Sequence, residues 1–249
     1  MSQLAPGVRI ADEAIYLNEN RYETVKESFK FMGNLMETDL TPNHHSLLDV
    51  GCATGEFIYY LHSRFPRLSY VGTDVSEKMV KQAAERIPFA TFSVASVLDK
   101  EFFKKFKFDL VQCSGVIQMF DDLKTPLYNL IDALNPGGAL YILSPVNNDP
   151  IDLYTRYFDH NDPLERMQLG WNIHSKKLYS KLIDAHPYKA SHSYHEFRLP
   201  FHLPKKSDPM RTWTILAPDG RGFQLVNGAC QMINLHVIRV IRPNAKRST

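Results

Sequence analysis

The sequence predicts an α/β fold built on a mostly parallel sheet, and two observations carry that expectation. Between Ser46 and Ser144, short apolar runs alternate with amphipathic stretches, the pattern of repeated strand–helix–strand units. Within that region one apolar run ends in a glycine-bounded loop of small residues, which leads straight into a helical pattern. The 249 residues, 44% of them apolar, suffice for one large domain or a core domain carrying an insertion.

Taken in order, residues 13–38 predict a helix, with Ile15, Tyr22, Val25, Phe29, Phe31, Met32 and Met36 near helical spacing, closed by Thr41-Pro42-Asn43. Strands are expected at 46–50, 69–74, 89–94, 108–113 and 139–144. Between them Phe57, Ile58, Leu61 and Phe65 share one helical face, and Met79, Val80, Ala83 and Ile87 share another. Ser76 can cap the second helix and Pro88 stops it. Leu127, Leu130, Ile131 and Leu134 form a further stripe, and Asn135-Pro136-Gly137-Gly138 reads as a tight turn into the fifth strand. After Ser144 the style changes. Residues 145–173 are polar with Pro145, Pro150 and Pro163; a helix follows near 175–185, then β-like runs at 190–202, 211–217, 222–227 and 231–241. Pro218-Asp219-Gly220 predicts a hairpin turn, and the tail from Pro243 should fray.

With 29 Lys and Arg against 27 Asp and Glu, the charge of +2 gives no electrostatic reason to expect nucleic acid as partner. Lys104-Lys105, Lys176-Lys177 and Lys205-Lys206 are short, scattered pairs that read as solvated faces. Cys52, Cys113 and Cys230 form no CxxC pair, and their odd number suggests a reducing compartment. The first residues lack a long apolar stretch and no run approaches the ~18 residues of a membrane span. A cytoplasmic protein with no membrane partner is therefore expected.

The most informative segment is Leu47-Leu48-Asp49-Val50-Gly51-Cys52-Ala53-Thr54-Gly55-Glu56-Phe57. Gly51 and Gly55 let a ligand press against backbone, and helix N-terminal amides point into the same space. In an open α/β sheet, ligands bind beyond the carboxyl ends of the strands. The second strand ends at Asp74, 23 residues after Gly51, where a carboxylate can accept both hydroxyls of a ribose. The dinucleotide spacing GxGxxG is missing, as is the GxxxxGK[ST] phosphate loop.

The string Asp49-Val50-Gly51-Cys52-Ala53-Thr54-Gly55 resembles the first motif of the class I S-adenosylmethionine-dependent methyltransferases. Three further matches follow in order: Val71-Gly72-Thr73-Asp74, then Phe108-Asp109-Leu110-Val111-Gln112-Cys113-Ser114-Gly115, then Leu134-Asn135-Pro136-Gly137-Gly138-Ala139-Leu140. The resemblance spans residues 46–144 and implies a Rossmann-like sheet of seven mostly parallel strands with helices on both faces. Its last strand would be antiparallel, with 190–202 and 231–241 as the final two. It also implies S-adenosylmethionine as cofactor. Asp49, Gly51, Cys52, Ala53 and Gly55 would approach its methionine part, and Asp74 its ribose. Val75 and Met79 would flank the adenine, Ala95, Ser96 and Val97 would meet its edge, and Cys113, Ser114 and Gly115 would line the floor. Where many members place an Asp, this chain has Ser96, a weaker acceptor for the adenine amino group.

The implied chemistry is in-line methyl displacement, which needs mainly alignment of the acceptor and, for a protonated acceptor, a base. Enzymes of this fold that methylate nucleobase or glutamine amino groups often carry [DN]PP[YF] after strand four. Ser114-Gly115-Val116-Ile117 stands there instead, so the expected partner is a small-molecule acceptor methylated on oxygen or nitrogen. Residues 1–43 would form a helical lid on a methyltransferase domain spanning 44–249, with a cap insertion at about 145–173. Tyr16 and Tyr22 would cover the cofactor; Tyr154, Tyr157, Phe158 and Trp171 would wall the acceptor pocket. Candidate catalytic residues are His174, His160 and Gln118. The histidines lack ligand spacing for a metal. An RNA- or protein-directed methyltransferase, a non-catalytic cofactor-binding subunit and an NAD-linked dehydrogenase remain alternatives at this stage.

Overall fold

Strand β1 (Ser46–Val50) sits mid-sheet, paired in parallel with β2 (Ser69–Asp74) and β4 (Phe108–Ser114). Buried on both faces, it is an unbroken apolar run interrupted only by Asp49. The computed structural model from which these pairings come describes residues 10–19, 21–162, 166–217, 219–220 and 222–244. Outside β2 lies β3 (Thr91–Val94); beyond β4 lie β5 (Leu134–Asn147), β13 (Leu235–Ile241) and β9 (Ser191–Phe197). The order β3-β2-β1-β4-β5-β13-β9 is a path of seven strands, the number the resemblance implies. β13 runs antiparallel to both neighbours, as the last strand should. An eighth, two-residue strand, β8 (His174–Ser175), joins the end of β5.

Helices cover both faces. On one side α5 (Lys100–Lys105), α6 (Lys124–Asp132) and α7 (Lys176–Ala185) bury Phe103, Leu127, Leu130, Tyr179 and Ile183 against Val111, Ile142 and Ile238. On the other, α2 (Glu27–Asp39) and α3 (Glu56–Arg64) bury Met32, Met36, Phe57, Ile58 and Leu61 against Leu47, Leu110 and Tyr141. Between β2 and β3 runs α4 (Glu77–Arg86), capped by Ser76 Oγ, which accepts from Met79 N at 3.3 Å.

Four expectations need correcting. The helix expected over 13–38 is two, α1 (Ile10–Asn18) and α2, because the chain between them turns to bond α3 and the glycine loop. Helix α5 was not anticipated; Asp99 caps it through Glu101 N and Phe102 N. The turn expected at Asn135–Gly138 is a bulge inside β5, where pairing jumps from Phe108↔Leu134 to Leu110↔Ala139 and Gly137 takes φ 81°. The run 231–241 divides into β12 (Met232–Ile233) and β13, since its first residues pair elsewhere.

The segment after β5 is not irregular throughout. It holds the hairpin β6 (Arg156–Phe158) and β7 (Met167–Leu169) and a Leu153↔Ile173 bridge. A second sheet, β10 (Trp213–Leu216), β11 (Phe223–Val226) and β12, packs against it: Gln231 Nε2 donates to Thr155 Oγ1 at 2.8 Å and to Trp171 O at 2.9 Å. The hairpin turn expected between β10 and β11 retains Gly220 at φ 69°; its Pro218 lies outside the described residues, as do Pro163 and the tail from 245. No helix among the described residues is long and apolar enough to cross a membrane.

Candidate functional site

The loop between β1 and α3 stands at the carboxyl edge of the sheet. Gly51, Ala53 and Gly55 adopt φ of 76°, 47° and 84°, a run of left-handed residues that folds the backbone back on itself. Gly51 N and Cys52 N both donate to Thr73 O, at 2.7 and 3.0 Å, which ties the loop to the end of β2. Asp74 completes the tie: its Oδ2 accepts from Ala53 N and its Oδ1 from Ser76 N, both at 2.9 Å. Burial lifts this carboxyl above its ordinary range despite those amides. Each oxygen keeps a lone pair for a further donor such as a ribose hydroxyl.

Beneath the loop Asp49 is 1% exposed. Gln112 Nε2 donates to its Oδ1; its Oδ2 has no partner. Burial pushes this carboxyl up to about 7. Thr54 Oγ1, 1% exposed, is likewise unpartnered. Ser114 Oγ donates to Gln112 Oε1 at 2.9 Å, which extends the network from β1 to β4. Cys113 is fully buried, and burial carries its thiol far up.

The residues expected at an adenine gather at the ends of β2 and β3. Met79 is buried and Val75 exposed; Ala95 N donates to Asp74 O at 3.0 Å. Ser96 Oγ accepts from Leu98 N at 3.2 Å, and the Val97 carbonyl takes Asn129 Nδ2 at 2.9 Å. Ser96 therefore spends one acceptor position on its own turn.

Two covers close over the loop. The strap after α1 places Arg21 N on Glu56 Oε1 at 2.8 Å and the Tyr22 hydroxyl on the Thr54 carbonyl, with Arg86 5.3 Å above the Tyr22 ring. Glu13 on α1 accepts from Ser76 Oγ and Lys78 Nζ, each at 2.9 Å. Tyr16 instead faces Lys26, whose Nζ is 5.4 Å from its ring centre. The second cover is the turn after β4, a 3-10 segment Ile117–Met119. There Gly115 takes φ 72°, and Val116 sits so close over Gly51 that a Cβ on Gly51 would lie 2.2 Å from Val116 Cγ2.

Of the three catalytic candidates, the segments carrying Gln118 and His174 bond to each other, and His160 lies apart. Asn172 N donates to Gln118 O at 2.9 Å, and His174 Nε2 meets Phe120 O at 3.2 Å. A bond to a carbonyl makes Nε2 the protonated nitrogen, so Nδ1 carries the lone pair. That Nδ1 is buried and unpartnered, as is Gln118 Oε1. Burial lowers the imidazole's proton affinity and holds it neutral. β8 pairs with Val146 and Asn147, past the point where β4 leaves the sheet at Ser114↔Leu143; β13 holds the other edge of β5. His174 thus occupies the slot above the end of β4. His160, by contrast, is exposed between β6 and β7.

The cap aromatics separate too. Tyr154 sets its ring edge against His174, centres 5.7 Å apart. Tyr157 bonds Gln168 within the hairpin, Phe158 is exposed, and Trp171 is half-buried with its carbonyl on Gln231. The two-residue alternation of β6 turns Phe158 outward.

A charged cluster beside the strap had no signature in the sequence. Glu19 is met by Arg21 Nη2 at 3.3 Å, Arg211 Nη2 at 3.5 Å and Lys26 Nζ at 3.8 Å. Its Arg211 is 192 positions away, beyond any local pattern.

Strand order, glycine loop and carboxylate together form a Rossmann-like α/β domain with its loop at the carboxyl edge of the sheet. Residues 48–140 match the family model described as a methyltransferase domain. Among curated relatives, a trans-aconitate 2-methyltransferase of Variovorax paradoxus is 33% identical over 43% of this chain and 41% of its own length. A malonyl-[acyl-carrier protein] O-methyltransferase of Priestia megaterium is 24% identical over 50% and 45%. The chain thus spans less than half the length of these relatives. Among solved structures, the amino pentose methyltransferase CalS10 of Micromonospora echinaspora, with S-adenosylmethionine bound, aligns over 97% of this chain and 99% of its own. The TM-score is 0.56 at 14% identity, a likeness of fold. The N-methyltransferase NodS of Bradyrhizobium japonicum, with S-adenosyl-l-homocysteine, aligns over 94% and 93% with TM-score 0.54 at 16% identity.

Proposed function

We propose that this chain binds S-adenosylmethionine and transfers its methyl group to an oxygen of a small-molecule acceptor by in-line displacement. The observation that carries the reading is the left-handed glycine loop clamped to Asp74, with buried acceptor atoms of Asp49 and Thr54 left unpaired around it. Unpaired buried acceptors are costly unless a ligand donates to them, and an adenosyl amino acid carries hydroxyl and ammonium donors.

On this reading Gly51, Cys52, Ala53 and Gly55 hold the amino acid part, with Asp49 as a charged acceptor beneath. Asp74 holds the ribose, Val75, Met79, Ala95, Ser96 and Val97 the adenine, and Cys113, Ser114 and Gly115 the floor. The cofactor supplies an already activated sulfonium methyl. The protein's task is alignment and exclusion of water, and orientation alone supplies roughly 7–11 kcal/mol. Of the expected lid over 1–43, the described residues 10–19 and 21–43 cover the loop with Tyr22 above it, residues 1–9 lying outside the described residues; the described part of 145–173 caps the acceptor side with Tyr154. Gln118 and His174 face each other's segments at the end of β4 and orient the acceptor.

Oxygen is favoured because one curated relative is named an O-methyltransferase and another takes its name from trans-aconitate, a polycarboxylate. A carboxylate oxygen is nucleophilic without a base. The bare Nδ1 of His174 supports a second reading, a hydroxyl acceptor whose proton passes to that nitrogen. Incubating the protein with methyl-labelled cofactor and a metabolite extract that includes trans-aconitate, then identifying labelled products by mass spectrometry, tests both. Labelled ester supports the first reading and labelled ether the second. No labelled product with the cofactor intact refutes both.

A further inference from the structure

Three cations surround Glu19 where one would neutralise it. Arg21, Lys26 and Arg211 lie within 3.8 Å of its carboxylate, and their side chains are only 34%, 29% and 25% exposed. Glu56 also bears on Lys26, and its Oε1 is already held by Arg21 N. Three cations thus converge on one carboxylate in a half-buried place, an arrangement that favours an added anion. Its position matters. Glu19 and Arg21 belong to the strap that covers the glycine loop. Arg211 belongs to the segment leading into β10, whose sheet packs on the cap through Gln231. The cluster bridges the cofactor cover and the acceptor cover.

We propose that Arg211, assisted by Arg21 and Lys26, recognises a carboxylate of the methyl acceptor, and that Glu19 occupies its place until the acceptor arrives. Arg211 offers a planar fork suited to a carboxylate, yet at 3.5 Å it meets Glu19 through a single long contact. A ligand carboxylate able to take both guanidinium nitrogens displaces a weakly held internal one. Acceptors with at least two carboxylates fit best, one to be methylated and one to be held. This inference rests on the methyltransferase reading above.

The test uses the full chain and three probes: S-adenosylhomocysteine, trans-aconitate, and its neutral trimethyl ester. Calorimetry measures the first alone, and the other two with the first bound. Arg211→Ala should weaken trans-aconitate by about ten- to a hundred-fold, the loss of a charged hydrogen bond. S-adenosylhomocysteine affinity should fall far less, because Arg211 reaches the strap through one long contact to Glu19. Arg211→Lys should lose less, and Glu19→Gln should tighten trans-aconitate. The trimethyl ester should bind wild type and Arg211→Ala alike. Three results overturn the proposal: unchanged trans-aconitate binding in Arg211→Ala, an equal loss of S-adenosylhomocysteine, or wild-type protein that binds S-adenosylhomocysteine but no trans-aconitate. Wild-type protein that binds no S-adenosylhomocysteine defeats the methyltransferase reading itself. Melting curves of all variants separate these losses from unfolding.

Discussion

Asp49 is a buried acid whose ionisation opposes folding, and Asp49→Asn should show it. The carboxyl rises from 3.8 to about 7 because burial outweighs the single bond from Gln112. A rise of that size corresponds to about 4 kcal/mol held against the folded, ionised state. The sign follows directly. Below about pH 4 both folded and unfolded chains are protonated here, and the residue is neutral to stability. Between about pH 4 and 7 the folded state keeps a proton that the unfolded state has released, so stability falls as pH rises. Above about pH 7 the full penalty applies. Asparagine removes the charge and keeps an oxygen for Gln112, but its amide N–H lacks a partner, which offsets about 1–3 kcal/mol. At pH 8 the variant should therefore be more stable than wild type by about 1–3 kcal/mol. Urea denaturation from pH 5 to pH 8.5 reads both the offset and the difference in slope. Equal stability at pH 8, or parallel pH dependence, refutes the reasoning. The variant should also bind S-adenosylhomocysteine more weakly, having gained stability by losing a functional charge.

Gly51→Ala should cost about 2–4 kcal/mol, combining a left-handed backbone with contact against Val116, and Val116→Ala should recover only the contact part in a double-mutant cycle. Full recovery would deny the backbone strain. Asp74→Ala should weaken S-adenosylhomocysteine by about 1–3 kcal/mol in calorimetry and lower the melting temperature, because Ala53 N and Ser76 N lose their acceptor. With a hydroxyl acceptor, kcat/KM should fall on the acid side with a midpoint below 6.5, since burial lowers His174 and only the neutral ring accepts a proton. His174→Gln should remove that limb with a loss of about 10²–10⁴ in rate; an unchanged limb assigns the titration elsewhere.

The sequence by itself determined the strands of the parallel half of the sheet and the glycine loop. Both rest on local signals: unbroken apolar runs for strands buried on two faces, helical stripes between them, and glycines where left-handed backbone is required. Asp74 was legible for the same reason, since a short, regular crossover fixes its distance from Gly51. Tertiary structure alone decided what meets across the carboxyl edge. The break between α1 and α2 arises from bonds to Glu56 and Thr54, which no window of residues 13–38 contains. That His174 is buried and paired with β5 while His160 is exposed was decided by packing, because composition gives the two equal standing. Arg211 beside Glu19, and Val116 over Gly51, join segments far apart in the chain. Side-chain contacts between distant loops depend on how whole elements pack, and periodicity along one element carries no record of its neighbours.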